Sequence, residues 1–189
     1  MRTMCALWLQ PPDSSLLSMA TDDKRVETAA VRLLARREHG TEELKRKLIG
    51  KGHDATAVDK VVGKLGAKRL VSDDRFAADF VHHHARRGQG PVRIRAELRQ
   101  QGIEEALLDQ VLADAELDWN GLAAQVRQRK FGAGRPGDLH ARAKQARFLQ
   151  YRGFTADQVR AALENTGANE GLSDGIEPTW DSPDADRPA

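Results

Sequence analysis

His82, His83 and His84 stand side by side near the middle of the chain, and a run of imidazoles is the first place to look for metal chemistry. Successive helical residues point about 100° apart, so three adjacent histidines cannot converge on one ion. A helical metal pair needs a spacing of three or four. His39, His53 and His140 have no Cys or His partner at zinc spacing. The carboxylates of Asp73, Asp74, Glu104 and Glu105 fall at expected helix starts, where the helix dipole favours acids, rather than in a pair suited to acid–base work. GAGRPG (132–137) is rich in glycine, yet it lacks the preceding strand and the Gly-Lys-Ser/Thr ending of a phosphate-cradling loop. No serine or cysteine stands in a nucleophile arrangement. Together these residues predict a protein that is not an enzyme and holds no metal or cofactor.

The basic residues are the other candidates. In RRGQGPVRIRAELRQQGI (86–103), Arg86, Arg87, Arg93, Arg95 and Arg99 surround Gly90-Pro91, a pair suited to opening a helix. Ile94 and Leu98 form the apolar stripe of that helix, which leaves Arg95 and Arg99 together on a neighbouring face at i, i+4. Lys45, Arg46, Lys47 and Lys51 crowd one further segment; Arg142, Lys144, Arg147 and Arg152 crowd another. Cations of this kind either solvate exposed helix faces or build a surface for an anionic partner. The charge distribution favours the second reading. The chain carries only +2 overall, but residues 166–189 hold six acids against Arg187 (net −5) and residues 1–23 hold three against Arg2 (net −2), which leaves +9 for residues 24–165.

The elements that must position these cations repeat. LKRKLIGKGHDATAVDKVV (44–62), IRAELRQQGIEEALLDQVL (94–112) and QARFLQYRGFTADQVRAAL (145–163) align with Gly52, Gly102 and Gly153 in register, 50 and 51 residues apart. Leu48, Leu98 and Leu149 stand four residues before each glycine; Val58, Leu108 and Val159 stand six after, and Val62, Leu112 and Leu163 ten after. This is helical spacing on both sides of a glycine placed where a helix needs a left-handed C′ residue. Asp54, Glu104 and Thr155 then open the next helix. A further helix precedes each pair. Residues 24–38 carry Val26, Ala30, Leu33 and Leu34; residues 73–87 carry Phe76, Phe80 and Val81; residues 119–131 carry Trp119, Leu122 and Val126. The expected fold is all-α, with three tandem three-helix repeats at 24–70, 71–116 and 117–165 forming an elongated, curved molecule.

Composition agrees, since 5% aromatic and 31% charged residues suit thin helical units better than a thick sheet core. The loop FGAGRPGD (131–138) interrupts the third repeat and is expected to be mobile. Residues 1–23 and 166–189 are expected to be disordered, the latter acidic and without apolar period. Met19 opens MATDDKRVETAAVRLL, a more natural entry to the first helix than the eighteen residues before it, which read as an extension. A lone Cys5 and an apolar run from Cys5 to Leu9, too short to span a membrane, suggest a cytoplasmic protein with no membrane partner.

On these residues the chain resembles a known family. SDDRFAADFVHHHARRGQGPVRIRAELRQQGI (72–103) resembles the central segment of the RecX regulatory proteins, bacterial modulators of the RecA recombinase. ARREHGTEELKRKLIGKGHD (35–54) is similar to the first unit of that family, and RQRKFG (127–132) with RFLQYRGFTADQVRAAL (147–163) to its third. The resemblance implies tandem three-helix repeats and a monomer that lies in the groove of the RecA filament on single-stranded DNA. It also implies limits on strand exchange, ATP hydrolysis and co-protease activity, and hence on recombination and the SOS response. Arg86, Arg87, Gly88, Gly90, Pro91, Ile94 and Arg95 match the family pattern, as do Phe76 and Phe80 in the helix core, whereas Gln89 stands where an aromatic is common. The expected contact residues for filament or DNA are Arg86, Arg87, Arg93, Arg95, Arg99, Lys45, Lys47, Arg147 and Arg152. Gly52, Gly90, Pro91, Gly102, Gly153, Phe76 and Phe80 are expected to be structural. The rival expectation is a helix-turn-helix regulator that reads duplex DNA directly.

Overall fold

A computed structural model of the chain describes residues 14–164, with side chains from residue 22 onward. The described residues form helices and no strands: α1 (Ser14–Leu34), α2 (Thr41–Gly50), α3 (Ala55–Ala67), α4 (Asp73–Arg86), α5 (Pro91–Gln100), α6 (Glu105–Asp114), α7 (Trp119–Phe131), α8 (Leu139–Tyr151) and α9 (Ala156–Glu164). They are three repeats of three helices. The chain divides into two compact units, one up to Ser72 and one from Asp73, so the second and third repeats share a unit.

Each repeat has its own core, which takes in most of the residues whose spacing marks them in the sequence, while Leu33, Leu34, Leu112, Trp119 and Leu122 pack against the cores only partly buried. Val26, Ala30, Leu44, Leu48, Val58, Val61, Val62, Leu65 and Val71 fill the first. Phe76, Ala77, Val81, Ala85, Ile94, Leu98, Ile103, Leu108 and Val111 fill the second. Ala123, Val126, Leu149, Phe154, Val159, Ala162 and Leu163 fill the third. Phe80 lies at the margin of the second core, half-buried, with its ring stacked on His84 at 3.8 Å between centroids. Leu122 of α7 packs on both the second and third cores, and Trp119 on the second, so these two repeats are continuous through apolar contact.

The three glycines end their helices in one way. Gly52, Gly102 and Gly153 have φ of 87°, 88° and 87°, a left-handed backbone that costs any residue with a Cβ about 1–2 kcal/mol. In each turn the amide after the glycine returns to the carbonyl five residues back: His53 to Leu48, Ile103 to Leu98 and Phe154 to Leu149. This is the six-to-one closure that satisfies the last helical carbonyls. The following helices open on the expected residues. Asp54 accepts the Ala57 amide, Glu104 is the N-cap of α6 without a side-chain bond, and Thr155 exchanges bonds with Gln158 in a capping box.

Two features differ from the sequence expectation. Helix α1 begins at Ser14, so residues 14–23, expected to be disordered, are helical and run unbroken through Met19. Part of the reason is tertiary: the Asp23 carboxylate is held by Lys60 at 2.7 Å and Lys64 at 3.6 Å, both from α3. The expected disorder of residues 1–13 and 166–189 lies outside the described residues. The loop after α7, expected to be mobile, is tethered. Arg127, 2% exposed, donates from Nη1 to the Gly134 carbonyl at 3.0 Å and lies 3.4 Å from Gln145 Oε1. Burial pushes the Arg127 guanidinium below its ordinary pKa.

Candidate functional site

The segment 86–93 is a joint between repeats. Gly90 is the N-cap of α5, with extended backbone, and Pro91 is its first residue. Proline there needs no donor, but Gly90 and Val92 each carry an amide that the helix leaves unsatisfied. The third repeat supplies the acceptors, since the Arg152 carbonyl takes the Gly90 amide at 2.8 Å and the Gly153 carbonyl takes the Val92 amide at 3.0 Å. The backbones approach so closely that a Cβ on Gly90 would fall on the Gly153 carbonyl, and one on Gly153 would fall on Arg93. Two glycines are therefore required, one on each side of the joint.

Guanidinium groups from both repeats gather around that contact. Arg152 donates to the Arg87 carbonyl at 3.1 Å and lies over the Phe148 ring at 5.3 Å. Burial, with the neighbouring charges of Arg93 and Arg87, pushes its pKa down. Arg93 pairs with Glu97 at 2.7 Å and sits 6.0 Å from the Tyr151 ring centroid. Tyr151 itself is 79% exposed. Arg86 and Arg87 are exposed at the end of α4. Behind them His84 Nδ1 lies 2.6 Å from Gln89 Oε1 and 3.3 Å from Glu97 Oε2. Burial lowers the His84 pKa, against the pull of Gln89 and Glu97. The site thus combines positive charge with an exposed aromatic ring on a frame fixed by backbone hydrogen bonds, which suits phosphate or carboxylate groups.

The other expected cations are differently placed. Arg95 and Arg99 do share a face, but they are not free as the sequence implied: Arg95 pairs with Glu105 and Asp109, and Arg99 pairs with Glu105 at 2.7 Å. Hydrogen bonds from Arg99 and Arg95 hold the Glu105 carboxyl below its usual range, and the bonds to Asp109 and Glu105 raise Arg95. In the first unit Lys45 is shared by Glu42 and Asp59, at 3.1 Å each, with the Glu42 bond leading the rise in its pKa. Lys47 reaches Glu43 at 3.1 Å. Arg147 is exposed on α8 with no ion pair among the described residues. The structure therefore brings together Arg87, Arg93 and Arg152, and places Arg95 and Arg99 in a second, charge-matched cluster.

A buried polar cluster escaped the sequence reading. Glu43 accepts from Arg37 at 2.5 and 3.1 Å and from His39 Nδ1 at 2.9 Å, with His39 only 2% exposed. Burial raises the Glu43 carboxyl, but hydrogen bonds from Arg37, His39 and Lys47 outweigh it and bring the pKa to about 2. Burial likewise keeps His39 below its ordinary value despite Glu43. The missed joint did have a signal: Gly90-Pro91 begins a helix whose first amides need acceptors, and Gly153 lies in a turn whose carbonyls are available. Nothing in the sequence pairs those two positions. No group of three or more His, Cys, Asp or Glu residues able to hold a metal occurs among the described residues, and no helix there is long and apolar enough to cross a membrane.

Family models for RecX match the three repeats in order: the first three-helix domain over residues 28–65, the second over 72–112 and the third over 121–163. The regulatory protein RecX of Halorhodospira halophila is 54% identical over 137 residues, covering 72% of this chain and 85% of that protein. The regulatory protein RecX of Pseudomonas savastanoi pv. phaseolicola is 41% identical over 145 residues, covering 77% and 94%. The crystal structure of RecX from Lactobacillus salivarius shares the fold, with a TM-score of 0.63 at 18% identity over 77% of this chain and 96% of that one. A second crystal structure, of a regulatory protein RecX, has a TM-score of 0.68 at 20% identity, covering 86% and 81%. With three domain matches in series and relatives above 40% identity over most of its length, the chain belongs to the RecX family of regulatory proteins.

Proposed function

We propose that the protein is a non-enzymatic regulator that docks as a monomer on the RecA filament formed on single-stranded DNA, in the cytoplasm. There it restrains recombinase, ATPase and co-protease activity, and through them homologous recombination and the SOS response. The observation that carries the reading is the joint of the second and third repeats, where Arg87, Arg93 and Arg152 converge on a backbone-bonded frame. A filament presents the same acidic groups and DNA phosphates at each protomer, and a ligand with linked contacts gains from engaging several at once.

The contact set in this reading is Arg86, Arg87, Arg93 and Arg152 at the joint, extended by Arg147, Lys45 and Lys47. Arg95 and Arg99 contribute by exchanging Glu105 and Asp109 for anions of the partner. Steady-state ATPase and strand-exchange assays of RecA on single-stranded DNA, with and without the protein, test the proposal. Inhibition at stoichiometric or lower amounts is expected. Full RecA activity combined with tight, sequence-specific binding to duplex DNA would replace it with a helix-turn-helix regulator.

A further inference from the structure

The turns at Gly52 and Gly153 share a backbone, φ 87° in both, and differ in what meets them. At Gly153 two carbonyls at the C-terminal end of α8 accept the two N-terminal amides of α5. One helix end thereby satisfies the orphan groups of another. At Gly52 the Lys51 and Gly52 carbonyls accept no hydrogen bond among the described residues, and a Cβ on Gly52 would meet nothing within 4 Å. Beside this turn a groove of about 810 Å³ runs along α1. Its acids are already engaged, Asp22 with Arg25 at 3.8 Å and Asp54 with the Ala57 amide at 2.9 Å. Its cations Lys24, Arg32 and Lys51 have no carboxylate partner among the described residues.

We propose that the Lys51–Gly52 turn and its groove are a docking edge for a helix N-terminus of a partner protein, one that opens with glycine and carries acidic residues in its first turn. The unused carbonyls call for backbone amides spaced as at Gly90 and Val92, and the three cations call for carboxylates. A helix start supplies both, since acids are favoured there. A second copy of this chain fits less well. Its glycine-capped acidic helix start is that of α2, whose Glu42 is held by Lys45 and Glu43 by Arg37. The proposal goes beyond the filament reading and stands whether or not the partner is RecA.

The test is a titration of the full ¹⁵N-labelled chain with an alanine-based helical peptide opening Gly-Pro-Glu-Glu, followed by NMR. Saturable shifts confined to the amides of residues 24–32 and 51–54 are expected. They should be absent with a Gly-Pro-Lys-Lys peptide and lost in the Arg32→Glu/Lys51→Glu variant. Should that double reversal disturb α1, the single Lys51→Gln variant is expected to bind about 2- to 5-fold more weakly. No shifts, shifts spread over cations elsewhere in the chain, or shifts that survive both variants would overturn the proposal. So would shifts at these amides produced by concentrating the chain alone, which would place a second copy there.

Discussion

Arg86 to Arg99 carry five arginines, and four of them fall into two settings. At the joint, Arg87 and Arg93 meet Arg152 of the next repeat, and burial, helped by repulsion from Arg93 and Arg87, depresses the Arg152 pKa. On another face of α5, Arg95 and Arg99 face Glu105 and Asp109 and are nearly neutralised. The two groups are indistinguishable as a count of basic residues. They differ in their neighbours: at the joint Arg93 keeps Glu97 as an ion-pair partner while cations of two repeats crowd together, whereas Arg95 and Arg99 share two carboxylates of α6 within one repeat. Charge density read from composition therefore overstates the second group and understates the first.

The largest effect expected from breaking this contrast lies at the joint itself. Gly153→Ala adds left-handed strain of about 1–2 kcal/mol to a collision with Arg93 costing about 1–3 kcal/mol. Gly52→Ala has the same φ and open space, and is expected to cost the strain alone. Urea denaturation of both variants measures the difference, and equal losses would mean that the joint contributes nothing to stability.

A buried ion pair sharpens the contrast next. Glu43, 9% exposed, has its folded pKa lowered from 4.5 to about 2, so it stabilises the fold above pH 4.5 and that contribution disappears as pH falls toward 2. The loss is on the order of 3 kcal/mol. His39, also lowered, adds in the same direction, because the unfolded chain takes up its proton below about pH 6.5 before the folded one does. Urea midpoints between pH 7 and 3 should fall for the wild type and stay flatter for Glu43→Gln. A parallel decline in both would assign the acid sensitivity elsewhere.

Charge reversal compares the two arginine groups directly. Arg87→Glu/Arg93→Glu is expected to weaken inhibition of RecA ATPase about 10-fold, and Arg95→Glu/Arg99→Glu about 3-fold, because the second pair already has carboxylates to exchange. Equal losses would erase the distinction. A folded Arg95→Glu/Arg99→Glu variant with undiminished inhibition would remove those two residues from the contact set. The smallest effect belongs to Glu105→Gln, which releases Arg99 from its carboxylate and leaves Arg95 with Asp109 alone; it should tighten inhibition about 2-fold at low salt, with the gain lost at high salt.

Much of the architecture is legible in the amino-acid sequence alone. The period of Gly52, Gly102 and Gly153, with leucines four residues ahead, fixes helix, left-handed turn and helix, because a C′ glycine and a 3.6-residue apolar stripe are local properties. The family resemblance rested on the same segments. Less legible was the start of α1, where Asp23 is held by lysines of α3 that no local pattern links to it. The buried Arg127 was equally silent, since an arginine at that position reads as a solvated helix residue until Gly134 and Gln145 close over it.

The sequence by itself determined the repeat, the helix boundaries near glycine, much of the core of each three-helix unit and the family, because the glycine turns and apolar stripes are local patterns that recur along the chain. Only the tertiary structure decided which arginines act together. Gly90 and Gly153 lie far apart along the chain, and whether Arg87 meets Arg152 or Arg95 meets Glu105 depends on which helix ends abut. Coulomb energies follow distance in space, and that distance is set by packing rather than by order along the chain.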